Sequence, residues 1–211
     1  MPRGARVSRW SVGDSLRSLR RASALIVPIP AAEPVVAVHR DRHDRSARLG
    51  MPAHVTLLYP FLPAGRIDHS VVASLHDVFA RRAPFRFELT RVESFPGVLF
   101  LAPEPAEPFA DITRALVDAW PRCPPYDGIH TDVVPHLTVA QDTWPDRLAM
   151  HLARRLPVAT EAGEAWLMTP GVTGHWSLRA RFTFGMRTGA GDDARDRTAS
   201  LRDAGSRPRS Q

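Results

Sequence analysis

The chain has 211 residues, 44% of them hydrophobic, enough for one substantial domain with a core of its own, and no apolar run approaches the ~20 residues of a membrane-spanning helix. Cys123 is the single cysteine, which excludes an intramolecular disulfide and a cysteine-rich zinc site and suits a reducing cytoplasm, where the protein is expected to reside. The net charge of +6 suggests a nucleic-acid binder until it is placed along the chain: residues 1–22 carry +5, residues 23–187 carry seventeen arginines against seventeen acids, and residues 188–211 carry +1, so a polyanion attracted to the central portion must meet a local patch.

Residues 1–22 form a basic leader with little periodicity, and residues 188–211 are Gly, Ser, Asp and Arg with few large apolar side chains. Both ends are expected to be disordered, leaving a single domain over 23–187. Twin arginines ahead of an apolar stretch, "RRASALIVPIPAA", mimic an export signal, but Pro28, Pro30 and Glu33 cut that stretch short, and a leader running into a first strand is the better reading. The absence of lysine and asparagine points to a GC-rich, bacterial coding sequence.

Residues 23–29 read as a strand, and 33–49 as a helix with Pro34 in its first turn and Gly50 as its stop. "AHVTLLYPF" (53–61) reads as a buried strand. Asp68 can cap a helix with Val71, Leu75, Val78 and Phe79 on one face, ending near Pro84. Residues 85–95 and 97–103 then look like paired strands around a turn. A second round follows: Pro108 opens a helix bearing Phe109, Ile112, Leu116 and Trp120, a proline-rich loop leads to the strand "PHLTVA" (135–140), and Thr143 can cap a helix bearing Trp144, Leu148 and Leu152. Strands at 164–169 and 175–185 close the domain.

Within the two apolar strands a histidine and a threonine stand two residues apart, His54 with Thr56 and His136 with Thr138. Strand side chains alternate between faces, so each pair points the same way while Val55, Leu57, Leu137 and Val139 point into the core. Chance gives about half a His-x-Thr match in a chain of this composition, and roughly 0.04 once apolar flanks are required. Two matches 82 residues apart, each followed by a helix and two strands, indicate an internal duplication. Two related α+β lobes would bring both pairs to one cleft.

Two imidazoles near neutrality can divide acid and base work, and two hydroxyls can donate hydrogen bonds to phosphoryl oxygens. Such a set suits a phosphodiester and requires no metal or other cofactor. His39 and His43, at i and i+4 in "HRDRH", lack the glutamate of a metalloprotease helix and read as a solvated face. Neither a G-x-S-x-G elbow nor a Walker loop is present. A protein that binds RNA or nucleotide phosphate in the same cleft without turnover is the alternative from another class.

The duplicated "HVTLL" and "HLTVA", with "GMPAHVTLLYPF", "FLAPEP", "PPYDG", "VVPHLTVA" and "HWSLRARFTFG" around them, resemble the 2H phosphoesterase superfamily and within it the bacterial 2',5' RNA ligase-like branch, over residues 23–187. The resemblance implies an α+β fold of two pseudo-twofold-related lobes of antiparallel sheet, helices outside and a central cleft. It implies His54 and His136 as the acid/base pair and Thr56 and Thr138 as phosphate-binding hydroxyls. It further implies action on 2',3'-cyclic phosphate ends of RNA or on small cyclic nucleotide phosphates, with 2',5' ligation as a possible reverse reaction. Arg179 and Arg181 are candidates for reaching substrate phosphate, and Tyr59 and Tyr126 for stacking on a base. A monomer is expected.

Overall fold

In the computed structural model, which describes residues 22–128 and 133–185, eight strands build two antiparallel four-stranded sheets. The strands are β1 (Ala24–Pro28), β2 (His54–Leu58), β3 (Phe85–Phe95), β4 (Val98–Glu104), β5 (Leu137–Gln141), β6 (Val158–Ala162), β7 (Glu164–Pro170) and β8 (Trp176–Thr183). The helices are α1 (Glu33–His43), the single turn α2 (Arg45–Arg48), α3 (His69–Ala80), α4 (Glu107–Ala119) and α5 (Arg147–Ala153). One sheet has the order β2-β1-β7-β8 and the other β5-β4-β3-β6, so a pseudo-twofold axis maps β1 onto β4 and β2 onto β5.

The lobes are not the two halves of the chain. β3, which follows the first motif, joins the second sheet, and β7 and β8, which follow the second motif, complete the first. The helices cross over in the same way: α1 packs against β5, and α4 packs against β2. One hydrophobic core therefore runs through both sheets, joining Leu25 and Val55 of the first to Leu89 and Val139 of the second. Linear spacing reports the repeat of elements, but hydrogen-bond partners are chosen by where each strand finds an open edge.

Both motif strands carry a β-bulge directly after the threonine. Leu25 and Ile26 pair with Leu58 and Thr56, leaving Leu57 unopposed. Leu99 and Phe100 pair with Ala140 and Thr138, leaving Val139 unopposed. A bulge re-aims the residues around it, and here it lets two consecutive side chains, Leu57–Leu58 and Val139–Ala140, both bury. The Leu57 carbonyl accepts a buried 2.9 Å hydrogen bond from Thr113 Oγ1 of α4, tying the first motif strand to its covering helix.

Three local readings change. The helix over 33–49 breaks at Asp44, whose backbone is extended (φ −117°, ψ 113°) and whose carboxylate caps α2 by accepting from Ser46 N at 2.8 Å. Asp44 also receives Arg40 Nε at 3.1 Å and a second guanidinium nitrogen at 2.9 Å, with both side chains almost wholly buried. This local capping and ion pairing outweighs helix continuation. Thr143 does not cap α5: it sits in the turn after β5, and the helix starts four residues later with Leu148 N bonding the Pro145 carbonyl. β6 has no clear sequence signal, because "VATEA" offers one large apolar residue, and it is a strand by virtue of pairing with β3. The Asp68 cap on α3 and a turn between β3 and β4 are as read, though Gly97 (φ +76°) belongs to the turn and not to the second strand.

Candidate active site

Edge strands β2 and β5 run beside each other, and the groove between the sheets has a volume of about 710 Å³. His54 and Thr56 line it from β2, and His136, immediately before β5, lines it with Thr138 from the other side. All four are half-buried, while the residues between them, Val55, Leu57, Leu137 and Val139, are buried in the core. Alternation along each strand produces this division.

The two imidazoles are held identically. His54 Nδ1 lies 2.7 Å from the Pro52 carbonyl and His136 Nδ1 lies 2.7 Å from the Val134 carbonyl, each two residues upstream. A carbonyl can only accept, so the proton of each neutral ring sits on Nδ1 and Nε2 keeps its lone pair. Both rings are thereby fixed as the tautomer whose remaining nitrogen can take up or return a proton.

Their surroundings differ. Burial, and next the Arg40 guanidinium, push the His54 imidazole down to about 4, against the opposing pull of its Pro52 hydrogen bond and of Asp44. Burial also lowers His136, opposed by the hydrogen bond to Val134. Among the described residues no arginine acts there. Instead the His136 ring packs edge-on to Phe95 at 5.5 Å and against Phe100 at 5.2 Å, on two rings stacked with each other at 4.4 Å.

Several lining residues lie outside the sequence candidates, Ser46, Gln141, Trp176 and Met51 among them. Ser46, the residue that Asp44 caps, brings a hydroxyl into the groove that also bonds the Asp44 carboxylate at 2.8 and 3.0 Å. Gln141 brings an amide from the end of β5, and Trp176 and Met51 supply wall. The Asp44-x-Ser46 pattern inside a helical stretch is a capping signal that marks the break and hence Ser46. Trp176 is anchored by its backbone N–H donating to the Leu49 carbonyl at 2.6 Å; Gly50 beside it takes φ +88°, and a Cβ there would collide with the His175 ring.

Of the other sequence candidates, Tyr59 lines the groove and meets Trp176 edge to face at 6.2 Å. Tyr126 belongs to the short turn Pro125–Gly128, and its side chain lies outside the described residues. Arg179 and Arg181 are exposed and do not line the groove. A bulge in β8 leaves Arg179 unopposed, so strict alternation fails there: Trp176 joins the cluster on the groove side while Phe182 enters the main core. Arg181 ends the cross-strand row Thr56, Ile26, Trp166, Arg181, and its guanidinium sits 4.8 Å over the Trp166 ring. Among the described residues, no Arg, Asp or Glu lines the groove, no group of three or more His, Cys, Asp or Glu is arranged to hold a metal ion, and no helix is long and apolar enough to cross a membrane.

Two four-stranded antiparallel sheets, meeting at edge strands that each present an imidazole and a hydroxyl to one groove, define an α+β fold of the 2H phosphoesterase type. The chain belongs to the 2'-5' RNA ligase superfamily, whose family model matches residues 27–172. Comparison with curated proteins gives no match. Among solved structures, E. coli LigT complexed with 3'-AMP is similar at a TM-score of 0.53 and 16% identity, covering 79% of this chain and 99% of that one. E. coli LigT complexed with NADP+ gives 0.52 at 17% identity (79% and 98%), and TT0787 of Thermus thermophilus gives 0.51 at 21% (78% and 98%). At these identities the likeness is one of fold.

Proposed function

We propose that the protein is a metal-independent phosphodiesterase that opens 2',3'-cyclic phosphates on RNA ends or nucleotides, with 2',5' ligation when a ribose hydroxyl replaces water as the attacking group. The observation that carries this reading is the matched pair of Nδ1-to-carbonyl hydrogen bonds on two histidines lining one groove, each with a threonine hydroxyl two residues on. Thr56 and Thr138 donate to the non-bridging phosphoryl oxygens. One Nε2 takes a proton from water as it attacks phosphorus, and the other, carrying a proton, delivers it to the departing ribose oxygen; one P–O bond forms as one breaks.

The unlike surroundings support one assignment of the roles within this proposal. His54, lowered by burial and by the Arg40 guanidinium, is the base; His136, with no guanidinium acting on it among the described residues, is the acid. A groove without cationic side chains among the described residues favours a cyclic diester with a single negative charge over a long polyanion, and nucleotide ligands in the E. coli LigT structures fit this size class.

The test is a turnover assay of purified protein against 2',3'-cyclic mononucleotides and cyclic-phosphate-ended RNA, with and without EDTA. Hydrolysis that persists in EDTA is the expected result. Because His54 must be neutral and His136 protonated, kcat/KM should fall below pH about 4 and again above the lowered His136 value, giving an optimum on the acid side of an ordinary histidine. Binding without product across the whole panel overturns the proposal.

A further inference from the structure

Away from the groove, α1 and α5 flank a second, solvent-open cavity of about 360 Å³. His39, Arg42 and His43 from α1 face Arg147 and His151 from α5, with Arg154 just past its end. The His39 and His151 rings, 112 positions apart in the chain, meet edge to face with centroids 5.2 Å apart. What reads in sequence as a solvated face is one side of a solvent-open cleft.

The charge around it is of one sign. Among the described residues no Asp or Glu lines the cavity, and none of Arg42, Arg147 and Arg154 pairs with a carboxylate. The one side-chain bond in the set is Arg154 to the Met150 sulfur, at 3.9 Å. His39 is held below its ordinary value by burial first, then by His151, Arg42, His43 and Arg155. Basic groups in the last turn of α1 complement its dipole, which explains Arg42 and His43 but not a facing set on a different helix. Like charges gathered around a cavity repel one another, and an anion placed between them turns each repulsion into attraction. A cation fits badly, because three guanidinium groups oppose it.

The geometry points to a second, non-catalytic site between α1 and α5 that binds a run of linked phosphates, either a free polyphosphate or successive singly charged phosphates of an RNA backbone. A chain whose central portion is neutral overall offers such an anion this one local patch among its described cavities. The site shares no lining residue with the groove and does not depend on the proposed chemistry there.

The probe is sodium tripolyphosphate, titrated at constant ionic strength while the imidazole carbon–proton resonances are followed by NMR. The resonances of His39, His43 and His151 should move together and saturate, unchanged in a His54→Ala background. Arg42→Glu with Arg154→Glu, both at exposed positions, should weaken binding at least tenfold and leave turnover of a cyclic mononucleotide unaltered; Arg42→Gln with Arg154→Gln should weaken it less. A short RNA that moves these resonances where tripolyphosphate does not identifies backbone phosphate as the ligand. Resonances that stay still with both probes, that respond equally to sodium chloride, or that respond only to zinc overturn the site.

Discussion

The His54 half and the His136 half of the groove share a burial pattern, a bulge after the threonine and an imidazole bonded to the carbonyl two residues back, but they differ in what stands behind the ring. Behind His54 is a buried ion pair, Arg40 with Asp44, which also caps α2 and fixes Ser46 at the groove. Behind His136 is a pair of stacked phenylalanines. The repeat supplies two equivalently held imidazoles, the proposed proton-transfer groups; the unlike packing behind them makes one harder to protonate than the other. Symmetric geometry with asymmetric electrostatics is what a reaction needs when one end takes a proton and the other gives one.

The largest expected effect tests the symmetry. His54→Ala and His136→Ala should each lower kcat/KM on a cyclic nucleotide by about 10²–10⁴-fold, in the range typical of losing a general acid or base. Steady-state kinetics with folding checked by circular dichroism reads this, and full activity in either variant breaks the equivalence. The asymmetry is tested next. Arg40→Ala leaves the Asp44 carboxylate buried and unpaired and should cost about 3–5 kcal/mol in urea unfolding, whereas Arg40→Met with Asp44→Leu should recover much of that.

A pH series sharpens the same contrast. The folded state holds the His54 imidazole at about 4 against 6.5 for the unfolded chain, so between those values the unfolded form binds more protons. Stability contributed at His54 is therefore present above pH 6.5 and is lost as the pH falls toward 4, by about 3 kcal/mol. Urea midpoints at pH 7 and pH 4.5 should differ less in His54→Ala than in the native chain; an equal difference removes His54 as the source. The smallest effect falls on the hydroxyls. Thr56→Val and Thr138→Val should each lower kcat/KM about 10–100-fold, the loss of one hydrogen bond to a charged group, and by similar factors if the two hydroxyls grip one phosphate.

Several features could be read from residues alone because their causes are local. Period-two alternation placed His54, Thr56, His136 and Thr138 on one side of their strands, and Asp68 and Pro108 marked a helix cap and a helix start through their own backbone chemistry. Other features depend on partners distant in the chain. That α1 covers β5 and α4 covers β2, that β7 and β8 complete the first sheet, and that β6 is a strand at all follow from which edges and apolar faces were left open once the other elements had packed. The bulge that sends Trp176 and Phe182 to opposite faces, and the meeting of His39 with His151, are equally nonlocal. The order of residues by itself determined that two imidazole–hydroxyl pairs exist and which way each faces its own strand. Only the tertiary structure decided that Arg40 stands behind one and phenylalanines behind the other, because the local field at a buried ring is set by side chains that packing, not sequence distance, brings to it.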